Sequence, residues 1–561
     1  MIRERNDRTQ YHREGELHVY DPVPGLNPSP YYTFQVQKVS ELNSPKLEKV
    51  TNWQSPFAWF TKCADKDSQG PYKAYFRNFM GSWSQTYCNF EMGPNTPIVV
   101  KIKRLNKKGA PSGPISSAVP YPARHVKSCK IIKGDIYLTL DNPALVAIDI
   151  DGQMDSRDAP RVKDPRDWRD ASPYNTEMTA THSLTIFANP FIDDKPDLND
   201  PKVYAVEPGT LPPKGGSWKT LYFKPGVHKM SVDANGRDRE WRATDIITLK
   251  SGQQFYIPGD AILYGNFSDD NHWDPTDNVR IYGHGTLCGS KIPHWKDWSD
   301  ELKELKLDHK KLRVLQIYSA RNCTFEGITV ADPAEHGFYF FGGWESYSPN
   351  YIRWVKTITW KVNNDAGGAT GNTYIEDCFL RHQDDGLYVG AMAGVKRIIF
   401  WSDCNGCPLR CSFLLHNIKH GRSIHLPQKL AIEDIDIVYS RSMWDGSIIG
   451  SPANDYKKYP DGTVNTGQYV IFRNINISDP RPQRTLIGFD TKATYRGFKF
   501  ENVNFAHANT WGRKSFLNAS GNASFQYWMF DNVSIEGKKV NEAYFKSDHI
   551  KVNNFSDPLF R

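Results

Sequence analysis

"AIEDIDI", residues 431–437, carries the pattern by which this 561-residue chain is read. An apolar residue and an acidic one lead into an apolar–polar–apolar alternation, and a period of two marks a strand with one buried face. Six further stretches share the pattern in whole or in part: "TFEGITV" (324–330), "YIEDCFL" (374–380), "RIIFWSD" (397–403), "IFRNINI" (471–477), "KFENVNF" (499–505) and "MFDNVSI" (529–535). They recur at intervals of roughly 25–50 residues, the range of solenoids and arrays.

Each stretch is too short and too one-sided to be stable alone. Stacked in parallel, successive coils bury one apolar face in a common interior and exchange main-chain hydrogen bonds about 4.8 Å apart. "LYFKPGVH" (221–228), "FYIPGDAIL" (255–263) and "NVRIYGHGTLCG" (278–289) extend the series upstream, with Pro-Gly pairs at 225–226 and 258–259 as corners. The expected fold of residues 219–561 is a right-handed parallel β-helix. A propeller would need hairpins, and "NG" and "DG" turns are not regularly spaced here. "DELKELKLDHKKL" (300–312) is the one expected helix of any length.

Residues 1–187 read differently. Short strands such as "YYTFQVQKV" (31–39), "TPIVVKIKRL" (96–105) and "GDIYLTLD" (134–141) alternate with turn-rich spacers, which suits a β-sandwich. The Pro- and Gly-rich stretch 188–218 is read as a linker packed along both domains. The chain is therefore all-β, an N-terminal β-sandwich followed by a β-helix.

Composition excludes several classes. Hydrophobic residues make up 39% and charged ones 24%, and no apolar run is long enough for a spanning helix. The net charge of +7 is spread along the chain rather than gathered into the stripe of a nucleic-acid binder. The opening "MIRERNDRTQ" lacks the apolar core of a signal peptide, as a mature secreted or periplasmic chain also would. Nine cysteines form no evident disulfide framework, and the seven N-x-S/T sequons decide nothing. Aromatics reach 13%, enough for strand packing with some left over as platforms for sugars.

"NDAGGATGNTYIEDCFLRHQDDG" (364–386) places Asp365 nineteen and twenty residues before the adjacent Asp384 and Asp385. That interval is close to one coil, so the three carboxylates are expected on one side of neighbouring coils. Inverting hydrolysis of a glycosidic bond needs one carboxylic acid and an opposed carboxylate that activates water, about 6.5–9.5 Å apart. Close carboxylates do not all ionise cheaply, and the one whose pKa rises keeps the proton a general acid needs.

The order of segments resembles glycoside hydrolase family 49, the dextranases and isopullulanase. The resemblance rests on "HREGELHVYDPVPG" (12–25), "SLTIFANPF" (183–191), "LYFKPGVH", "YIPGDAILYG" (256–265), "GHGTLCG" (283–289), "FEGITVADP" (325–333) and "HQDDGLYVG" (382–390). It implies a β-sandwich joined to a right-handed β-helix and metal-free, cofactor-free inverting hydrolysis of α-linked glucans. By position Asp384 resembles the general acid, and Asp365 and Asp385 the carboxylates that activate water. Three positions depart from the family: Tyr388 stands where Lys is common, Leu414 where Trp is, and Ser290 where Glu is.

Trp354, Trp360, Tyr388 and Trp401 fall on coils flanking the aspartates and are candidate sugar contacts, while Arg381 and His382 are candidates to orient carboxylates or meet hydroxyls. "RCSFLLHNIKHGRSIH" (410–425) gathers Arg410, His416, Lys419, His420, Arg422 and His425, of which Arg410, His416 and Arg422 are candidate anion contacts. Cys404, Cys407 and Cys411 form a weak metal pattern, better read as thiols or a disulfide. The expected function is endo-acting, inverting hydrolysis of a dextran- or pullulan-like polysaccharide. The alternatives are a hydrolase of a sulfated galactan or uronate polymer, a lyase, and a non-catalytic carbohydrate-binding adhesin, which has no need for the aspartates. The sequence leaves the oligomeric state open.

Overall fold

The repeat is built around a turn. In successive coils the residue after a charged position adopts a left-handed backbone: Gly327, Trp354, Asp377, Arg397, Asp434, Asn474, Asn502 and Asn532 have φ from 51° to 79°. Gly, Asn and Asp enter this region most cheaply, which is why they recur at that point of the pattern. The side chains then form a ladder, with Asn474 donating to Asp434 at 2.9 Å and Asn532 to Asn502 at 2.8 Å.

The computed structural model describes residues 13–62, 84–107, 112–155, 182–213, 216–233, 236–269, 275–292, 312–342, 348–359, 364–389, 392–403, 406–411, 429–441, 447–451, 469–482, 484–491, 495–508, 515–519 and 525–541. The helix expected at 300–312 lies outside these residues apart from Leu312, and among them helical structure is confined to 3-10 turns.

Parallel strands stack into three faces. The first runs from Val203–Val206 to Phe525–Ile535, the second from Gly226–Lys229 through Ile399–Ser402 into the second half of Lys429–Ser440, and the third from Ile247–Leu249 to Phe516–Ala519. On the first face Thr324, Tyr351, Tyr374, Gly394, Ala431, Ile471, Lys499 and Met529 stand opposite one another from coil to coil. Six of the seven quoted stretches are thus in register. "RIIFWSD" is displaced by three residues, because its left-handed residue is Arg397 at the first position and Ile399 pairs with Phe379. Arg397 is held there by a two-pronged pair with Asp377, Nε at 2.5 Å and Nη2 at 2.7 Å.

The interior is one apolar column, within which Phe472, Phe500 and Phe530 stack ring on ring at 4.9 Å. Burial of apolar area at roughly 25 cal/mol per Å² is the main stabilisation that no single coil could supply.

The N-terminal unit packs a six-stranded sheet against a four-stranded one over a shared core. Its pairings are antiparallel except at the centre of the larger sheet, where His182–Asn189 runs parallel to Ser84–Met92. Both central strands are buried throughout. Cys88, Phe90 and Met92 enter the sheet–sheet core, while Tyr87 and Asn89 on the other face reach Thr286 Oγ1 and the His284 carbonyl of the β-helix. The stretch expected as linker includes the end of the sheet strand at Asn189 and the first coil strand, Val203–Val206. Between them Pro190 and Asp194 bond to His284 and Arg280.

The N-terminal unit therefore covers the second face. Trp59, Tyr87, Leu145 and Phe187 share a cluster with Ile262, Ala331, Ile358, Phe379 and Trp401.

Candidate active site

The three aspartates stand at the corner between the second and third faces. Asp365 precedes strand Gly367–Glu376, and Asp384 and Asp385 lie between Phe379–His382 and Leu387–Val389. Backbone bonds stack four such corners: Gly337 N–H donates to Asp365 O at 3.0 Å, Ala366 to Asp385 O at 3.0 Å, and Gly386 to Cys407 O at 2.8 Å. The one-coil spacing read from the sequence thus brings Asp365, Asp384 and Asp385 together, with an oxygen from each within 4.8 Å of the others. These nearest oxygens are closer than the gap of about 6.5–9.5 Å expected between an inverting pair.

The environments of the three differ. Asp385 is buried, its Oδ1 accepting from Cys407 N–H at 2.7 Å and its Oδ2 paired with Arg410. Asp365 is also buried; Asp385 N–H donates to its Oδ1 at 3.3 Å, and His336 Nδ1 lies 2.7 Å from its Oδ2. Asp384 is half-buried, and among the described residues its carboxylate has no hydrogen-bond or ionic partner. Burial, then the charges of Asp365 and Asp385, push the Asp384 carboxyl up to about 8, against the opposing pull of Arg410 and His336. Burial also raises Asp365, opposed first by His336.

The corner requires small residues. Gly406 has φ +54°, and a Cβ there would come 2.4 Å from the Asp385 nitrogen and 2.5 Å from its Oδ1. A Cβ on Gly386 would meet the Pro408 carbonyl at 2.4 Å and His382 Nε2 at 2.9 Å. His382 itself is fully buried beneath the pair, its Nδ1 donating to Asp384 O at 2.7 Å, and burial lowers its pKa to about 3. It shapes the corner as a neutral ring and does not face a sugar.

Tyr388 is brought to the site, with Arg410 Nη1 donating to its Oη at 3.0 Å. Arg410 therefore bridges Tyr388 and Asp385 instead of standing ready for a substrate anion. Three other expected contacts lie elsewhere. Arg381 is fully buried, pairing with Asp403 at 2.8 Å and donating to Gln85 Oε1 at 2.5 Å across the interface with the N-terminal unit. Trp401 is buried in the same interface, 4.7 Å from the Tyr439 ring and donating to Asp403 at 2.7 Å. Trp354 packs there too. Each is on a coil flanking the aspartates but points to the covered second face, so none serves as a sugar contact. Trp360, His416, Lys419, His420, Arg422, His425, Leu414 and Cys404 lie outside the described residues.

The sequence reading missed four side chains: Arg313, Glu335, His336 and Tyr339. Glu335 and His336 form the corner one coil before Asp365. The Tyr339 ring lies 5.9 Å from that of Tyr388 and under the Arg313 guanidinium at 3.9 Å. Gly368, between the two tyrosines in register, leaves room for the Tyr339 ring, which a Cβ would meet at 2.6 Å. The acid–imidazole pair in "ADPAEHGFYF" (331–340), one coil upstream of Asp365, was the available signal.

Three clustered carboxylates are also a donor set for a divalent cation. The fit is poor, because the His336 ring and the Arg410 guanidinium already sit against Asp365 and Asp385. Cys407 and Cys411 are buried free thiols; Cys407 Sγ lies 3.6 Å from Ser447 Oγ.

A solved structure matches this chain end to end. It is Dex49A from Penicillium minioluteum, with a TM-score of 0.66 at 16% identity, covering 98% of this chain and 97% of that one. At that identity the likeness is one of fold, and it extends over both units. Dextranases from Arthrobacter globiformis and Arthrobacter sp. (strain CB-8) are each 20% identical over 287 residues, 48% of this chain. The chain spans 41% of the length of each of these relatives. No family model matches. The resemblance to family 49 read from the sequence stands on these likenesses.

Proposed function

We propose that this chain is an extracellular glycoside hydrolase that cleaves α-glycosidic bonds of a neutral, dextran-like polysaccharide with inversion. The observation that carries the reading is the corner column, in which one of three clustered carboxylates, Asp384, is partly exposed, has no partner among the described residues and is poised to hold a proton near neutrality. Asp384 gives its proton to the leaving glycosidic oxygen. A water held by Asp365 and Asp385 attacks the anomeric carbon and loses its proton to a carboxylate. Both buried carboxylates are oriented by neighbours, which suits holding a water better than bonding to a sugar carbon. Tyr388 and Tyr339 offer aromatic surface beside the acid. The column lies mid-solenoid with coils on either side, which favours endo action on a chain laid along the axis.

The anionic-polymer alternative drew on the basic segment, and Arg410, its one described member among the anion candidates, is occupied by Asp385. The test is incubation with dextran, pullulan, polygalacturonate and a sulfated galactan, following reducing ends and viscosity together. Reducing ends from dextran or pullulan, with viscosity falling first, are expected. Release only from the anionic polymers would overturn the substrate class, and no release from any of them would overturn the enzyme reading.

A further inference from the structure

The corner one coil before Asp365 places an imidazole between two carboxylates. His336 Nδ1 lies 2.7 Å from Asp365 Oδ2, and its Nε2 lies 3.2 Å from Glu335 Oε1. The ring is 8% exposed, and the two carboxylates 1% and 2%. A neutral imidazole carries one N–H and one lone pair, so either tautomer would set a lone pair against an anionic oxygen. Only the doubly protonated, charged ring is attracted to both carboxylates.

Resting on the proposed hydrolysis, we infer that His336 is a positioning residue: an imidazolium, clamped by Glu335, that holds Asp365 ionised and aimed, making Asp365 the base that takes the proton of the attacking water. Asp385 has less room for the water's proton, since each of its oxygens already accepts a hydrogen bond, one of them from a guanidinium. Asp365 Oδ1 accepts only the 3.3 Å bond from Asp385 N–H among the described residues.

The charged and titratable groups around the ring agree with this assignment. Asp365 faces it from the next coil and Glu335 from its own corner, while Arg313, in the bend before strand Leu315–Arg321, opposes them 3.5 Å from Glu335. Tyr339 and Tyr388 approach at 5.3 Å and 6.3 Å. Burial alone would depress the imidazole, but the two carboxylates outweigh both burial and Arg313 and raise it to about 9.

The test compares wild type, H336N and E335Q in kcat/KM across pH, on whichever polymer the wild type cleaves. H336N keeps an N–H donor near the place of Nδ1 and removes the charge. Without it Asp365 becomes harder to ionise, so the acidic limb should move up by about one pH unit or more with KM little changed. E335Q should shift it in the same direction by less. Nitrogen-15 NMR of the wild-type ring near neutral pH should show both nitrogens protonated. A uniform loss of rate with an unmoved acidic limb would reduce His336 to a structural role, and a neutral ring by NMR would overturn the inference whether or not the variants fold. Full activity in Asp365→Asn and Asp384→Asn would instead defeat the proposed hydrolysis, while the charge on His336 would still be read by NMR.

Discussion

Asp385 stands one coil after Asp365 and donates its backbone N–H to the Asp365 Oδ1 at 3.3 Å, so the two carboxylates are fixed by the main chain of the coil stack itself. Asp384 is held by the same corner, but unlike the other two it is partly exposed. Rigid support for two acids and freedom for the third divides their expected roles.

Asp384→Asn should therefore leave the fold intact and reduce kcat about 10²–10⁴-fold. A substrate with an activated leaving group should recover part of that loss, because it needs no proton. Asp365→Asn and Asp385→Asn should be severe on both substrates. Proton NMR of the first products should show inverted configuration; retention would make one of these carboxylates a nucleophile, as the short oxygen separations would permit.

Activity and stability should both fall toward alkaline pH. The acid must be protonated, so kcat is expected to decline as pH rises through about 8. The folded-state pKa of Asp384 is above its unfolded value, so the folded protein binds the extra proton and its stability decreases as pH rises from about 4 to about 8. His336, raised to about 9, contributes stability fully present below about 6.5 and lost as pH rises through about 9. At pH 8 Asp384→Asn should melt above wild type, and below pH 4 the difference should vanish. An unchanged difference across pH would mean that Asp384 is not the titrating group.

Arg381 and Tyr388 should separate stability from binding. Arg381→Met leaves the buried Asp403 without its cation and should cost about 3–5 kcal/mol in denaturant unfolding, with KM unchanged. Tyr388→Ala should raise KM roughly two- to tenfold, the loss of about 0.5–1.5 kcal/mol of aromatic contact, with little change in the melting temperature. A KM effect from Arg381→Met in well-folded protein would return that residue to the cleft.

Chelation should have no effect. With His336 and Arg410 already paired to two of the three aspartates, activity in excess EDTA should equal that in buffer. Loss restored by a divalent cation would place a metal among the carboxylates.

Much of this was legible in the residues alone. The period-two stretches, the Asn, Asp and Gly at the left-handed turn and the twenty-residue interval between Asp365 and Asp385 report backbone geometry, which is local and repeats from coil to coil. The register of "RIIFWSD" was not legible, because Arg397 occupies a turn position that local preference assigns to Asn or Gly, and its pair with Asp377 one coil away is what holds it.

The sequence also placed Trp354, Trp401 and Arg381 on the right coils, but not on the right face. Alternation separates inside from outside, whereas the outside of a β-helix has three faces, and only the docking of Ser84–Met92 and His182–Asn189 decides which of them is buried. His336 escaped for the related reason that its partner Asp365 belongs to another coil. Sequence alone determined the coil and the carboxylates, because each is written within one turn of chain. Tertiary structure decided the pairings that set their charges, because those form between turns brought together only by stacking.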